Sequence, residues 1–171
     1  IMEQEHFSFP EAIRYLAKKY NIEIVETQET NEDKALQDEK ESMLFNAAEQ
    51  IYLSENYQKA LISLQSYLDK YPDGGNAYKA DFYMAESYRN LQKYDQACDS
   101  YRKVIEKGEG SFVELSMLNF SNISYRLERW EDAFGGYSSL FSSALLENNR
   151  YLASVGMMRS AFKGHDWDEA V

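Results

Sequence analysis

Cysteine, proline and glycine are all scarce in this chain of 171 residues, at one, two and eight. A single cysteine rules out an internal disulfide and fits a reducing compartment, and no Cys/His cluster has metal-site spacing. So few chain-breakers argue against a many-turned β fold and for long uninterrupted helices. Cations are short too: 18 Lys and Arg stand against 29 Asp and Glu, a net charge of −11. That balance excludes a reader of nucleic-acid backbones, which needs clustered basic residues to displace phosphate counterions. No apolar run approaches the roughly 18–20 residues that span a bilayer. The opening IMEQEH lacks the basic and apolar regions of a signal peptide, and a first residue of Ile1 reads as an interior start.

What the chain does have is aromatic residues, 15% of the total with 14 tyrosines. Its first pattern is a capped helix. Ser8 and Glu11 are spaced as a capping box, and Pro10 sits in the first turn, where its missing N–H costs nothing. Ile13, Leu16, Ala17 and Tyr20 follow the spacing of one apolar helical face. Lys18 and Lys19 suit the negative end of the helix dipole. Asn21 is a left-handed stop, and Ile22–Val25 alternates briefly like a strand end. Glu26 to Glu41 is acidic and reads as a solvated linker or helix, not a ligand site.

The rest is periodic. Tyr57-Gln-Lys-Ala60, Tyr94-Asp-Gln-Ala97, Trp130-Glu-Asp-Ala133 and Trp167-Asp-Glu-Ala170 recur at spacings of 37, 36 and 37 residues. A turn-prone polar pair precedes each: Glu55-Asn56, Gln92-Lys93, Glu128-Arg129 and His165-Asp166. Helical segments rich in small and aromatic residues flank each turn, so the unit is helix–turn–helix. The chain divides into residues 1–25, an acidic linker over 26–42, and repeats over 43–77, 78–113, 114–150 and an incomplete 151–171.

Two resemblances follow from these residues. Residues 2–26, MEQEHFSFPEAIRYLAKKYNIEIVE, are similar to the end of the zinc-binding domain of bacterial DNA primase, and the likeness extends along the acidic stretch to Met43. That family's zinc ligands lie upstream of this helix and its polymerase domain has no counterpart here, so none of its zinc or catalytic residues carries over. The repeats resemble the tetratricopeptide repeat, a family of interaction scaffolds. The resemblance implies an all-α, right-handed solenoid with no enzymatic activity. Family position 20 falls on Ala60, Ala97, Ala133 and Ala170; small position 8 falls on Ala48, Ala85, Ser121 and Met158. Large position 24 falls on Leu64, Tyr101 and Tyr137. The fourth repeat ends with its second helix only begun, so the array is expected to continue, and its uncapped helix is a candidate for self-association. The leader helix is expected to serve as a substitute cap.

In the tetratricopeptide family the concave surface comes from helix A positions 2, 5, 9, 12 and 13. On this chain those positions give Glu49 and Tyr52 in the first repeat, and Phe82, Glu86, Arg89 and Asn90 in the second. The third repeat contributes Leu118, Asn122, Tyr125 and Arg126, and the fourth Arg159. Ser42, Phe45 and Lys79 lie at the edge. This mixture of aromatics, amides and both charge signs suits a protein or peptide partner. The chaperone-tail clamp of the family, with Lys at position 5, is absent, since Phe45, Phe82, Leu118 and Val155 stand there.

Other candidates read as structure. His165–Glu169 is the turn and first helical turn of repeat four, where acids suit the positive helix end. Cys98 is a small packing residue. Lys107–Ser111 has two glycines but no Gly-Lys-Ser/Thr ending, so it is no phosphate loop. The function expected is a non-enzymatic scaffold without cofactor or metal; the alternatives are a fragment of a primase acting in replication and a cell-envelope assembly lipoprotein. Because the zinc ligands of the primase family are missing, the purified chain is predicted to carry no stoichiometric zinc. Elemental analysis finding about one zinc per chain would overturn this.

Overall fold

The computed structural model describes residues 9–20, 31–108 and 111–164. The chain forms two compact units, Ile1–Gln37 and Asp38–Val171. All secondary structure among the described residues is helical: α1 (Phe9–Tyr20), α2 (Asn31–Leu53), α3 (Tyr57–Lys70), α4 (Ala77–Asn90), α5 (Tyr94–Lys107), α6 (Val113–Arg126), α7 (Trp130–Ser143) and α8 (Glu147–Gly164).

The helix α1 forms where the sequence placed it, with Lys18 and Lys19 in its last turn. Ala17 is buried, but Leu16 and Tyr20 of the expected apolar face are at least half exposed. Ser8 and the tail Ile22–Val25 lie outside the described residues. Of the two readings of the acidic stretch, its residues from Asn31 onward take the helical one, as the first half of α2. Glu32 and Asp33 stand in the first turn of α2, where the dipole favours them. The Lys, Ala, Leu, Gln and Glu that follow are strong helix formers. Residues 31–40 are exposed throughout, a solvated stretch of helix.

The second unit is a stack of helical hairpins, an all-α solenoid. The hairpins are α2–α3, α4–α5 and α6–α7, with α8 beginning a fourth. Tyr57, Tyr94 and Trp130 are each the first residue of a second helix. Within each hairpin the small residues bring the helices together. Ala48, Ala60, Ala85, Ala97, Ser121 and Ala133 are all buried. In the third hairpin a Cβ on Gly136 would strike the Ser121 hydroxyl and crowd the Phe120 ring, so α6 and α7 approach closely there. Met158 is exposed, and the segment Trp167–Ala170 that it was expected to pack against is outside the described residues.

The turns inside the hairpins share one geometry. Glu55, Gln92 and Glu128 have φ of 62°, 58° and 60°, the left-handed region. After α4 the Lys93 amide donates to the Tyr88 carbonyl at 2.9 Å and the Gln92 amide to Arg89 at 3.0 Å. After α6 the Arg129 amide donates to Ser124 at 2.9 Å and Glu128 to Tyr125 at 3.1 Å. These are Schellman motifs, which satisfy the last carbonyls of a helix and normally place glycine at the left-handed position. Here a Cβ occupies it.

Between hairpins the large position-24 residues wedge under the next helix, with Leu64, Tyr101 and Tyr137 buried. Within the second hairpin, Lys107 of α5 pairs with the buried Asp81 of α4 at 2.6 Å. The start of α8 is fastened by Glu114 of α6. Its carboxylate accepts from the Leu145 amide and from Asn149 Nδ2, each at 2.7 Å. Those bonds hold its pKa below the ordinary carboxylate range.

Relieving one left-handed Cβ should stabilise the stack. Gln92→Gly is predicted to raise the unfolding free energy by about 0.5–1 kcal/mol, the turn strain removed less the entropy glycine adds to the unfolded chain. Chemical denaturation beside the wild type checks it, and a loss of stability would mean that the Gln92 side chain does more than occupy the turn.

Candidate functional site

The first helices of the hairpins, α2, α4, α6 and α8, carry every residue expected on the partner-binding face. The structure divides those residues into three groups.

Position-9 residues form a ladder between repeats. The Tyr83 hydroxyl donates to Glu49 at 2.8 Å, joining α4 to α2. One repeat on, Asn119 Nδ2 donates to Glu86 at 2.9 Å and also approaches the Tyr101 hydroxyl at 3.2 Å. Glu86 further accepts from the Tyr101 hydroxyl and pairs with Arg89. Its carboxylate is thus a buried hub, not an exposed groove residue as the sequence suggested; four donor contacts from three helices replace the water it gave up. In the third repeat Asn122 takes only the Tyr137 hydroxyl, at 2.6 Å. The donor position that holds Tyr83 and Asn119 is Gly156 in α8, so the third rung has no side chain.

These bonds set the titration of the phenols. Burial and then the Glu49 hydrogen bond push Tyr83 up to about 12. Burial and the Glu86 charge raise Tyr101 further. Tyr52 is raised by burial first, then by Glu86. The Glu86 hydrogen bond holds Arg89 more firmly protonated.

Position 5 differs along the stack. Phe45 is buried, edge-on to Tyr67 with centroids 5.4 Å apart and stacked on Tyr83 at 6.2 Å. Phe82 is only 5% exposed and stacks on Phe112 at 4.3 Å, the planes 8° apart. Phe82 was expected as an exposed apolar contact. It is core instead, because Phe112, in the connection before α6, folds over it. In the third and fourth repeats the position holds the smaller Leu118 and Val155, which fill less space.

Small position-5 side chains and the missing rung open a cavity of about 350 Å³ between α6 and α8. Leu118, Asn122, Tyr125 and Arg159, all expected on the binding face, line it. Tyr137, Tyr151, Leu152, Val155 and Gly156 complete the lining. A Cβ on Gly156 would come within about 2.5 Å of the Tyr137 ring, so glycine is what lets that ring form one wall. The pattern reading did not select Tyr151, Leu152 or Gly156. Aligning Tyr83, Asn119 and Gly156 at the repeat period carried the signal for the last.

The remaining expected residues are dispersed. Tyr52 stacks on Tyr83 at 4.4 Å, and Asn90 donates back to the Glu86 carbonyl at 2.8 Å. Arg126 is exposed, its guanidinium 4.7 Å from the Tyr94 ring centroid. Tyr125 of the cavity lining also meets Trp130 edge-on at 5.0 Å. Ser42 is exposed, and the Lys79 ammonium lies 5.9 Å from the centre of the Phe45 ring. Cys98 is buried in the second core and its thiol pKa is raised by that burial, as befits packing. His165–Glu169 lie outside the described residues.

Comparison with known proteins agrees with the geometry. Residues 42–74 and 79–107 match the tetratricopeptide repeat model, which corresponds to the first two hairpins. A TPR repeat-containing protein of the archaeon Methanocaldococcus jannaschii is 33% identical over 93 residues. That alignment covers 53% of this chain and 28% of the relative, so the chain spans under a third of that protein's length. Over those two segments the chain is therefore similar to tetratricopeptide repeats. The family matches begin at residue 42 and leave the primase-like stretch outside them. No helix among the described residues is long and apolar enough to cross a membrane.

The corrected place of Phe82 gives a prediction. Phe82→Ala should destabilise the fold by about 3–5 kcal/mol, as emptying a buried aromatic site does. Denaturant unfolding measures it, and a loss below about 1 kcal/mol would return Phe82 to the surface.

Proposed function

We propose that the hairpin stack is a non-enzymatic interaction scaffold that binds a protein or peptide segment along the helix A face. The observation that carries this reading is the α6–α8 cavity. It is lined by tyrosines, aliphatic side chains, one amide and one guanidinium, the mixture that gives an extended peptide both apolar anchorage and hydrogen bonds. The tetratricopeptide matches support it, since such repeats generally serve as interaction modules. Two of the lining residues, Tyr151 and Leu152, are exposed, so the apolar lining continues onto accessible surface. Along α2 and α4 the face is already filled by its own rings and the Glu86 hub, which concentrates binding toward α6 and α8.

A peptide selected by display against the full chain, titrated into isotope-labelled protein, tests the proposal. Backbone amide shifts are expected on α6 and α8 and around Tyr137 of α7, with little change on α3 and α5. Shifts confined to the second helices, or no selectable peptide, would overturn it.

A further inference from the structure

We propose that the α6–α8 cavity is a specificity pocket for an internal partner segment, taking one apolar side chain whose acidic neighbour in sequence pairs with Arg159. The inference rests on the scaffold reading and adds the chemistry of the ligand.

Charge decides the sign. Arg159 is the one charged residue in the lining, on a chain whose net charge is −11. Among the described residues it has no ion-pair partner, whereas Arg89 is held by Glu86 and Arg129 by Asp95. The carboxylates of the helix A face, Glu49 and Glu86, already accept from Tyr83, Tyr101 and Asn119. What this part of the face offers a ligand is therefore a cation beside apolar walls. A guanidinium next to low-dielectric surface favours a carboxylate it can grip with two N–H groups.

Size and direction decide the rest. A volume of about 350 Å³ lies near the lower end of ligand cavities, about 300–1,000 Å³, room for a Leu, Met or Phe side chain with part of its backbone. Asn122 spends its Oδ1 on Tyr137, which leaves Nδ2 to donate to a passing carbonyl. With Asn122 on α6 and Arg159 on α8, polar groups stand on both sides of the cavity. That suits a backbone crossing the pocket better than one ending in it.

Anisotropy titrations of the full chain with labelled synthetic dodecapeptides, acetylated and amidated, provide the test. Central pairs would be Leu-Glu, Phe-Glu, Leu-Gln and Ala-Glu, with one further peptide ending in a free Leu carboxylate. The expected result is preference for Leu-Glu and Phe-Glu. Replacing Glu by Gln, or Arg159→Gln in the protein, should each weaken binding on the order of tenfold. The two changes together should cost little more than either alone, because each removes the same pair. Arg102→Gln, an exposed cation on α5, should change nothing, and circular dichroism melts confirm the fold of each variant. Binding indifferent to the acid or to Arg159, or preference for the free carboxylate, would overturn the pocket assignment and leave the scaffold reading standing. So would failure of all these peptides while a display-selected peptide still maps to α6 and α8. If no peptide of either kind binds, both proposals fall.

Discussion

The close approach of paired helices at small residues is the constraint on which the rest of the stack depends. Ala48 and Ala60, Ala85 and Ala97, and Ser121 and Ala133 bring little side-chain bulk to the paired helices, and all six are buried. Because the helices of each hairpin sit so close, the larger side chains are forced outward to the seams between hairpins. There Leu64, Tyr101 and Tyr137 find their space, and the hydroxyls of the two tyrosines reach polar partners on the hairpin's first helix. Core and polar network thus have one cause. A bulky residue at any of the six positions would spread a hairpin and misplace the rungs on either side of it.

The same arrangement explains why much of the fold was legible in the sequence. A repeat period, an aromatic start to each second helix and a polar turn pair are local signals, and Tyr57, Tyr94 and Trp130 each start a helix as the pattern requires. What the pattern could not show was which helix A residues the stack consumes. Phe82 lies on the helical face that usually meets ligands, but its cover, Phe112, comes from an irregular connection outside the periodic segments. Glu86 read as exposed because carboxylates usually are. Its burial depends on donors from α4, α5 and α6 arriving together, a coincidence no single helix reveals. The acidic stretch before Met43 is a different case: its charge predicts solvation, which linker and helix share, and only the run of strong helix formers favours the helix that begins at Asn31.

Within one architecture, then, successive repeats differ in what fills the helix A face. Phenylalanine at position 5 closes it in the first two repeats, while Leu118 and Val155 leave it open later. The donor row Tyr83, Asn119, Gly156 loses reach at each step. A stack of near-identical units gains one distinctive place by subtraction, since removing side-chain volume at two neighbouring positions makes a cavity without altering a helix. Solenoids tolerate this because each unit contacts only its neighbours.

The Tyr83–Glu49 rung has a consequence for alkaline solution. A phenol that donates to a carboxylate holds the joint between hairpins only while it keeps its proton. In the unfolded chain tyrosine ionises near 10, whereas in the stack Tyr83 waits until about 12. The stability this rung contributes is complete below the first value and is lost as the solution passes the second. Once ionised, the rung becomes two anions face to face. Base therefore attacks first the joint between the first two hairpins, where Tyr83 meets Glu49, rather than the alanine-lined interiors.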